Sequence, residues 1–234
     1  MRPSKSPRGS VERSLGGREF VIAIIISIDI ISFAIIGGNQ MRLNSLVAIG
    51  AAAFAASGIL NIFADFMPDT VTRLMNFFGV CLGVLGLHAL YIFAHQRTGA
   101  ANLVGFLLST FGFLGIAGFL FTDAFVFPSL PQETVGALTA GSTGLAIFGA
   151  VILYVAGVLL FTVTLYRSGV LPRPALLLWA AGTAPTIAAI ALPAIVMTVA
   201  EIVASVGVVW IAFAVLRDVR TKNYPLLGSE QGLS

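Results

Sequence analysis

The sequence predicts an all-α protein, a polytopic transmembrane helical bundle, and three observations predict it. Hydrophobic residues fill 58% of the 234 positions and charged residues only 10%, against about 25% charged in an ordinary soluble domain. The apolar residues gather in runs of about 20, the length a helix needs to cross a hydrocarbon core ~30 Å thick. Those runs are apolar on every side, whereas a membrane barrel would alternate apolar and polar residues. In lipid a helix satisfies its backbone groups within one segment, which suits runs of this kind. The composition also excludes a disordered chain and a nucleic-acid-binding surface, because both need charge that is missing here.

The elements follow in order. A basic tail, 1–19, carries Arg2, Lys5, Arg8, Arg13 and Arg18; near an anionic lipid surface each such cation contributes about 1 kcal/mol. The first apolar segment, 20–37, is read as retained rather than cleaved. It is long for a signal peptide, holds Asp29 and lacks a small-x-small cleavage site. Spans are then expected at 43–64, 74–94, 100–121 and 144–166. The stretch 174–216 has 43 residues and one charge, Glu201. It holds two spans, 174–192 and 195–216, divided at Pro193. The bundle thus covers 20–217, and 218–234 is a C-terminal tail. Seven spans are expected, or six if Asp29, costly at mid-membrane, keeps the first segment from crossing.

Lys and Arg between spans set the orientation. Arg42, Arg97, Arg167, Arg173, Arg217, Arg220 and Lys222 fall on one side, and Arg73 on the other. The C-terminus is therefore expected in the cytoplasm of a multi-pass protein of the cell membrane. The connection 122–143 holds Asp123 and Glu133 but no Lys or Arg, as an outside loop should. The basic N-terminal tail runs against this rule if all seven segments cross.

Small residues punctuate the spans. Gly79, Gly83 and Gly86 share one helix, and Gly112, Gly115 and Gly118 the next. At such spacings they let helix backbones approach closely, so packing within the chain is expected ahead of a homodimer seam. Cys81 is the single cysteine, so no disulfide forms within the chain.

An ionisable group within a span is costly and begins as a functional candidate. On the expected topology Asp65, Arg73, Asp123 and Glu201 all fall toward the outer face, where Arg73 can pair with one of the three carboxylates. The plain reading is a structural ion pair with solvated acids; the sharper one is an outward-facing cation or proton site. Behind this cluster stand Asp29, Asn61 and His88. Asn61 lies four residues before Asp65, which would place two oxygen ligands on one helical face. His88 and His95 lie seven apart on one helix, with no other histidine to complete a haem or metal site. No catalytic residue, cofactor site or metal site is therefore expected. Trp179 and Trp210 read as packing and anchoring residues, and Pro185 and Pro193 as kinks or ends of the sixth span.

Two stretches carry a resemblance. Residues 83–130 read GVLGLHALYIFAHQRTGAANLVGFLLSTFGFLGIAGFLFTDAFVFPSL, and 165–182 read LYRSGVLPRPALLLWAAG. Both resemble a loose group of uncharacterised bacterial multi-pass membrane proteins, in which a basic turn leads through a Gly-rich helix to an aromatic-Pro outer loop. An Arg-x-Gly-x-x-Pro turn, here Arg167, Gly169 and Pro172, later enters a Trp-bearing span. The resemblance implies architecture and topology and no activity. The expected function is that of a structural or interaction membrane protein, not an enzyme. Its partners would be the lipid bilayer and a second copy or another membrane protein. The alternative is a small-solute or proton-linked transporter using the outward-facing carboxylates.

Overall fold

The computed structural model describes residues 40–189 and 191–221. These are helical, with no strand among the described residues. Among the described residues seven α-helices follow one another: α1 (Gln40–Ala64), α2 (Asp69–Ala94), α3 (Ala100–Phe121), α4 (Gln132–Ala140), α5 (Ser142–Ser168), α6 (Arg173–Thr183) and α7 (Ala194–Thr221). The segment 20–37, with Asp29, the tail 1–19 and residues 222–234 lie outside the described residues; α7 runs on to Thr221, into the expected C-terminal tail. The packing considered below is that of the compact unit from Asn44 onward.

Local chemistry fixes the helix ends. Pro68 precedes α2 and Asp69 stands in its first turn, where a negative charge suits the positive end of the helix dipole. Thr72 donates its hydroxyl to the Ala64 carbonyl at 2.7 Å, satisfying an acceptor that the end of α1 leaves without a helical partner. The expected start at residue 74 is thus moved out to Asp69, so Arg73 lies inside the helix. After α3 the chain winds through a π-turn, Thr122–Val126, and a 3₁₀ turn, Phe127–Ser129. At the other end of the bundle α5 stops at Ser168, and Gly169 adopts φ 65°, a left-handed conformation that glycine takes without a Cβ penalty. Pro172 then precedes α6, and Arg173 sits over the Tyr166 ring at 5.2 Å, a cation–π contact across the turn.

Helices α1, α2, α3, α5 and α7, the second and third with their short extensions, are long and apolar enough to cross a membrane. The span expected over 174–192 needs correction. Helix α6 has 11 residues and gives way at Ala184 to a 3₁₀ turn, Ala184–Ala188. Pro185 is the cause, since it lacks an N–H and its ring crowds the preceding turn. Pro193 stands directly before α7, the division the sequence predicts.

Glycines bring the helices together. Along α3 and α5, Gly105 meets Phe161, Gly112 meets Tyr154 and Gly115 meets Ala150, while Gly157 of α5 meets Ser109. On α2, Gly79 faces Asn61, Gly83 faces Ser57 and Phe113, and Gly86 faces Phe54. Gly182 of α6 lies on the α7 backbone at Ala200–Ala204, Gly207 of α7 on Trp179, and Gly58 of α1 beside Ser205 and Val209. Trp179 is fully buried, edge-on to Phe54 at 5.5 Å and Phe161 at 6.3 Å. The outside is greasy: Ile49, Phe66, Leu145 and Ile195 are each at least 65% exposed. A water-soluble monomer does not tolerate so much apolar surface. Lipid is the solvent this surface fits.

Candidate functional site

The bundle end that holds the turn 65–68, the segment 122–141 and the approach to α7 gathers the intramembrane candidates, but it sorts them into two groups. Arg73, one turn into α2, donates Nη1 to the Asp123 carbonyl oxygen at 3.1 Å and reaches its Oδ1 at 3.4 Å. The two side chains are 40% and 28% exposed, so the pair sits in a screened setting and is worth about 0–1 kcal/mol. One turn further in, Phe77 packs against Phe121 at 5.8 Å and Phe125 at 5.7 Å. These rings and the ion pair together tie α2 to the winding end of α3. This is the structural pairing the sequence allows for, with Asp123 as the partner.

Asp65 and Glu201 form the other group. Helix α7 runs beside α1, with Gly58 at Ser205 and Val209. Moving toward the turn end from those contacts reaches Asp65 on one helix and Glu201 on the other. Helical side chains lean toward their own N-terminus, which aims Glu201 at this end. Both side chains are exposed. Among the described residues neither forms an ion pair with Lys or Arg.

Two residues that sequence reasoning passed over join this group. Tyr154 of α5 lies beside Thr183, its ring edge-on to Phe113 at 4.7 Å. Thr183 ends α6, is 1% exposed, and its hydroxyl meets no partner in full hydrogen-bond geometry although Tyr154 is beside it. The available signal was Pro185, two residues past Thr183: proline withholds the N–H that the Ala181 carbonyl would otherwise receive, so polar backbone is freed near this threonine.

Asn61 departs from its expected place. Helix α1 ends at Ala64 and Asp65 stands in the turn, so the four-residue spacing no longer puts both on one helical face. Asn61 Oδ1 instead packs on Gly79 of α2. His88 directs Nδ1 to the Val84 carbonyl at 2.7 Å and lies edge-on to Phe106 at 4.9 Å. Tyr91 stacks on the same Phe106 at 4.4 Å. His95 lies beyond α2, in the 3₁₀ turn His95–Arg97. Neither histidine is arranged to share a ligand with the other.

A second buried polar contact lies toward the opposite end. Thr164 of α5 is 2.9 Å from Asn102 Oδ1 and 2.7 Å from the Phe161 carbonyl. One hydroxyl proton serves one acceptor at a time, and Asn102 Nδ2 is left without a partner. With the Asn102 amide turned by 180°, Thr164 donates to Phe161 and accepts from Nδ2, the more economical arrangement. Asn102 is thus a polar link between α3 and α5. Comparison with protein-family models, with curated proteins and with solved structures finds no match.

Proposed function

We propose that the chain is a multi-pass protein of the cell membrane, its C-terminus in the cytoplasm, and that its bundle serves as a structural or interaction module. The five long apolar helices support the membrane setting. The distribution of charge supports the orientation: Arg97, Arg167, Arg173, Arg217 and Arg220 belong to one end of the bundle and Arg73 to the other. A count of seven spans adds the segment 20–37 and takes α6 with its 3₁₀ continuation as one broken crossing. By helical rise that crossing is about 26 Å long, close to the ~30 Å hydrocarbon core.

The observation that carries the functional reading is the interface of α3 with α5. Its helices meet at backbone distance at Gly105, Gly112 and Gly157, and a contact of that kind holds one register. Rocking of one helix group against another, the usual motion of a carrier, would have to part it. One observation favours the carrier alternative: α6 breaks beside Tyr154 and Glu201, and broken helices mark substrate sites in transporters.

Proton flux into vesicles reconstituted with the purified chain separates the two. The expected result is a flux equal to that of protein-free vesicles, unchanged in Glu201→Gln and Asp123→Asn. A wild-type flux above that background that either substitution abolishes would refute the structural reading.

A further inference from the structure

Helix α7 carries one stripe whose chemistry changes along its length. Val206, Trp210, Phe213, Arg217 and Arg220 follow one another at spacings of four and three, so a helix of 3.6 residues per turn stacks them on one face. All five are exposed. The stripe is apolar up to Phe213 and cationic from Arg217 on. We propose that this face, with the groove beside it, binds an anionic phospholipid, its acyl chain lying along α1 and α7 and its headgroup phosphate held by Arg217 and Arg220.

The groove follows from packing between the two helices. Gly58 brings α1 against Ser205 and Val209, and a furrow runs beside that contact. Ile59 and Ile62 of α1 form one wall, and Val206, Val209, Trp210 and Phe213 of α7 the other. Apart from the indole N–H every lining side chain is hydrocarbon, which suits an acyl chain and gives a polar solute nothing to bond. Arg217 stands one helical turn beyond Phe213 and two beyond Trp210, about 10 Å further along the axis. A phospholipid has the same order along its length, with the charged phosphate first and the chain beneath it.

Charge decides the class of headgroup. Among the described residues neither arginine takes part in an ion pair. Asp218 lies between them in sequence but about 100° round the helix from Arg217, off the stripe. A guanidinium presents a planar fork of donors that matches two phosphate oxygens at once. Snorkelling alone accounts for a single arginine that reaches the membrane surface. Two arginines three residues apart at the head of an apolar groove offer one phosphate two forks. A zwitterionic headgroup brings its own cation to such a pair, whereas an anionic one brings negative charge alone. The proposal goes beyond the packing reading above and needs only the membrane setting.

The full-length chain is reconstituted in phosphatidylcholine vesicles that contain a fixed fraction of brominated phosphatidylglycerol or, in parallel, of brominated phosphatidylcholine. Bromine quenches tryptophan at close range; Trp210 lines the groove, whereas Trp179 is buried. The expected result is stronger quenching by the anionic lipid, a preference of about fivefold for each arginine. Arg217→Gln and Arg220→Gln should each lower the preference by about that factor, and the double substitution should remove it. Both side chains are exposed, so the fold is expected to survive, as circular dichroism checks. Trp210→Phe should abolish the difference in quenching, and Arg97→Gln, at the same end of the bundle but on another segment, should leave it. Equal quenching of the wild type by the two lipids would overturn the proposal. So would an equal loss in Arg97→Gln, the mark of diffuse attraction, or loss of the preference to inorganic phosphate at matched ionic strength, the mark of a site for free anions. Both leaflets carry the probe lipid, so failure here leaves the proposed orientation and the packing reading untouched.

Discussion

Replacing Gly105 with alanine adds one methyl group between α3 and α5. The new Cβ would lie 2.6 Å from the Phe161 amide nitrogen, 2.9 Å from its Cα and 3.2 Å from the Leu160 carbonyl carbon. All three are backbone atoms, so no side chain can rotate out of the way. Ordinary carbon contacts are about 3.5–4.0 Å, and the helices must part by roughly 1 Å to restore them. A gap of that size forfeits a quarter to a half of each dispersion contact along the seam. Overpacking of this kind costs about 1–3 kcal/mol. Alanine also gains helix propensity over glycine, about 1 kcal/mol, which would blur a single measurement. Gly118 supplies the control. It lies in the same helix, and a Cβ there meets nothing within 4 Å. The propensity gain is common to Gly105→Ala and Gly118→Ala, so their difference in stability isolates the cost of the clash. Denaturation in detergent followed by circular dichroism should find Gly105→Ala less stable than Gly118→Ala by about 1–3 kcal/mol. Equal stability, or the reverse order, would show that α3 and α5 do not meet at backbone distance.

Two further outcomes follow. Thr164→Val removes a hydrogen-bonding partner of buried Asn102 and should cost about 0.6–1.7 kcal/mol in the same denaturation assay, the range measured for polar contacts between membrane helices; an unchanged midpoint would mean that Asn102 is satisfied elsewhere. In a Cys81→Ser background, Glu230→Cys should resist a membrane-impermeant maleimide on intact cells and react after permeabilisation. Lys5→Cys should react at once if seven segments cross, so protection of both positions would refute the seven-span count.

The fold class was legible because lipid imposes a simple rule: long apolar runs become helices. The start of α7 was legible too, since Pro193 marks it, whereas the start of α2 at Asp69 was set five residues late because Arg73 and Asp69 interrupt the apolar run. The break in α6 was harder to read, because 174–192 is apolar enough for a full span and only Pro185 argues otherwise. Helix pairing lies outside what apolar runs reveal. Gly112 and Gly118 look equivalent in the sequence, yet one rests on Tyr154 and the other faces open space. The candidate site divided for the same reason. Sequence placed Asp65, Arg73, Asp123 and Glu201 at one depth, but depth does not say which neighbours meet. The pairing of Arg73 with Asp123 depends on how α3 winds through Thr122–Val126, and the inclusion of Tyr154 and Thr183 depends on helix contacts made across the bundle.

The shortness of α6 has a consequence for the membrane itself. At about 1.5 Å per residue, α5 and α7 stand some 40 Å tall, whereas α6 with its turn reaches about 26 Å. A bilayer surrounding walls of unequal height thins locally against the low one, at fractions of a kcal/mol per Å of mismatch. On the proposed topology, headgroups and water are then drawn down beside the 3₁₀ turn Ala184–Ala188, and the approach to Glu201 becomes an aqueous notch sunk below the surrounding lipid surface.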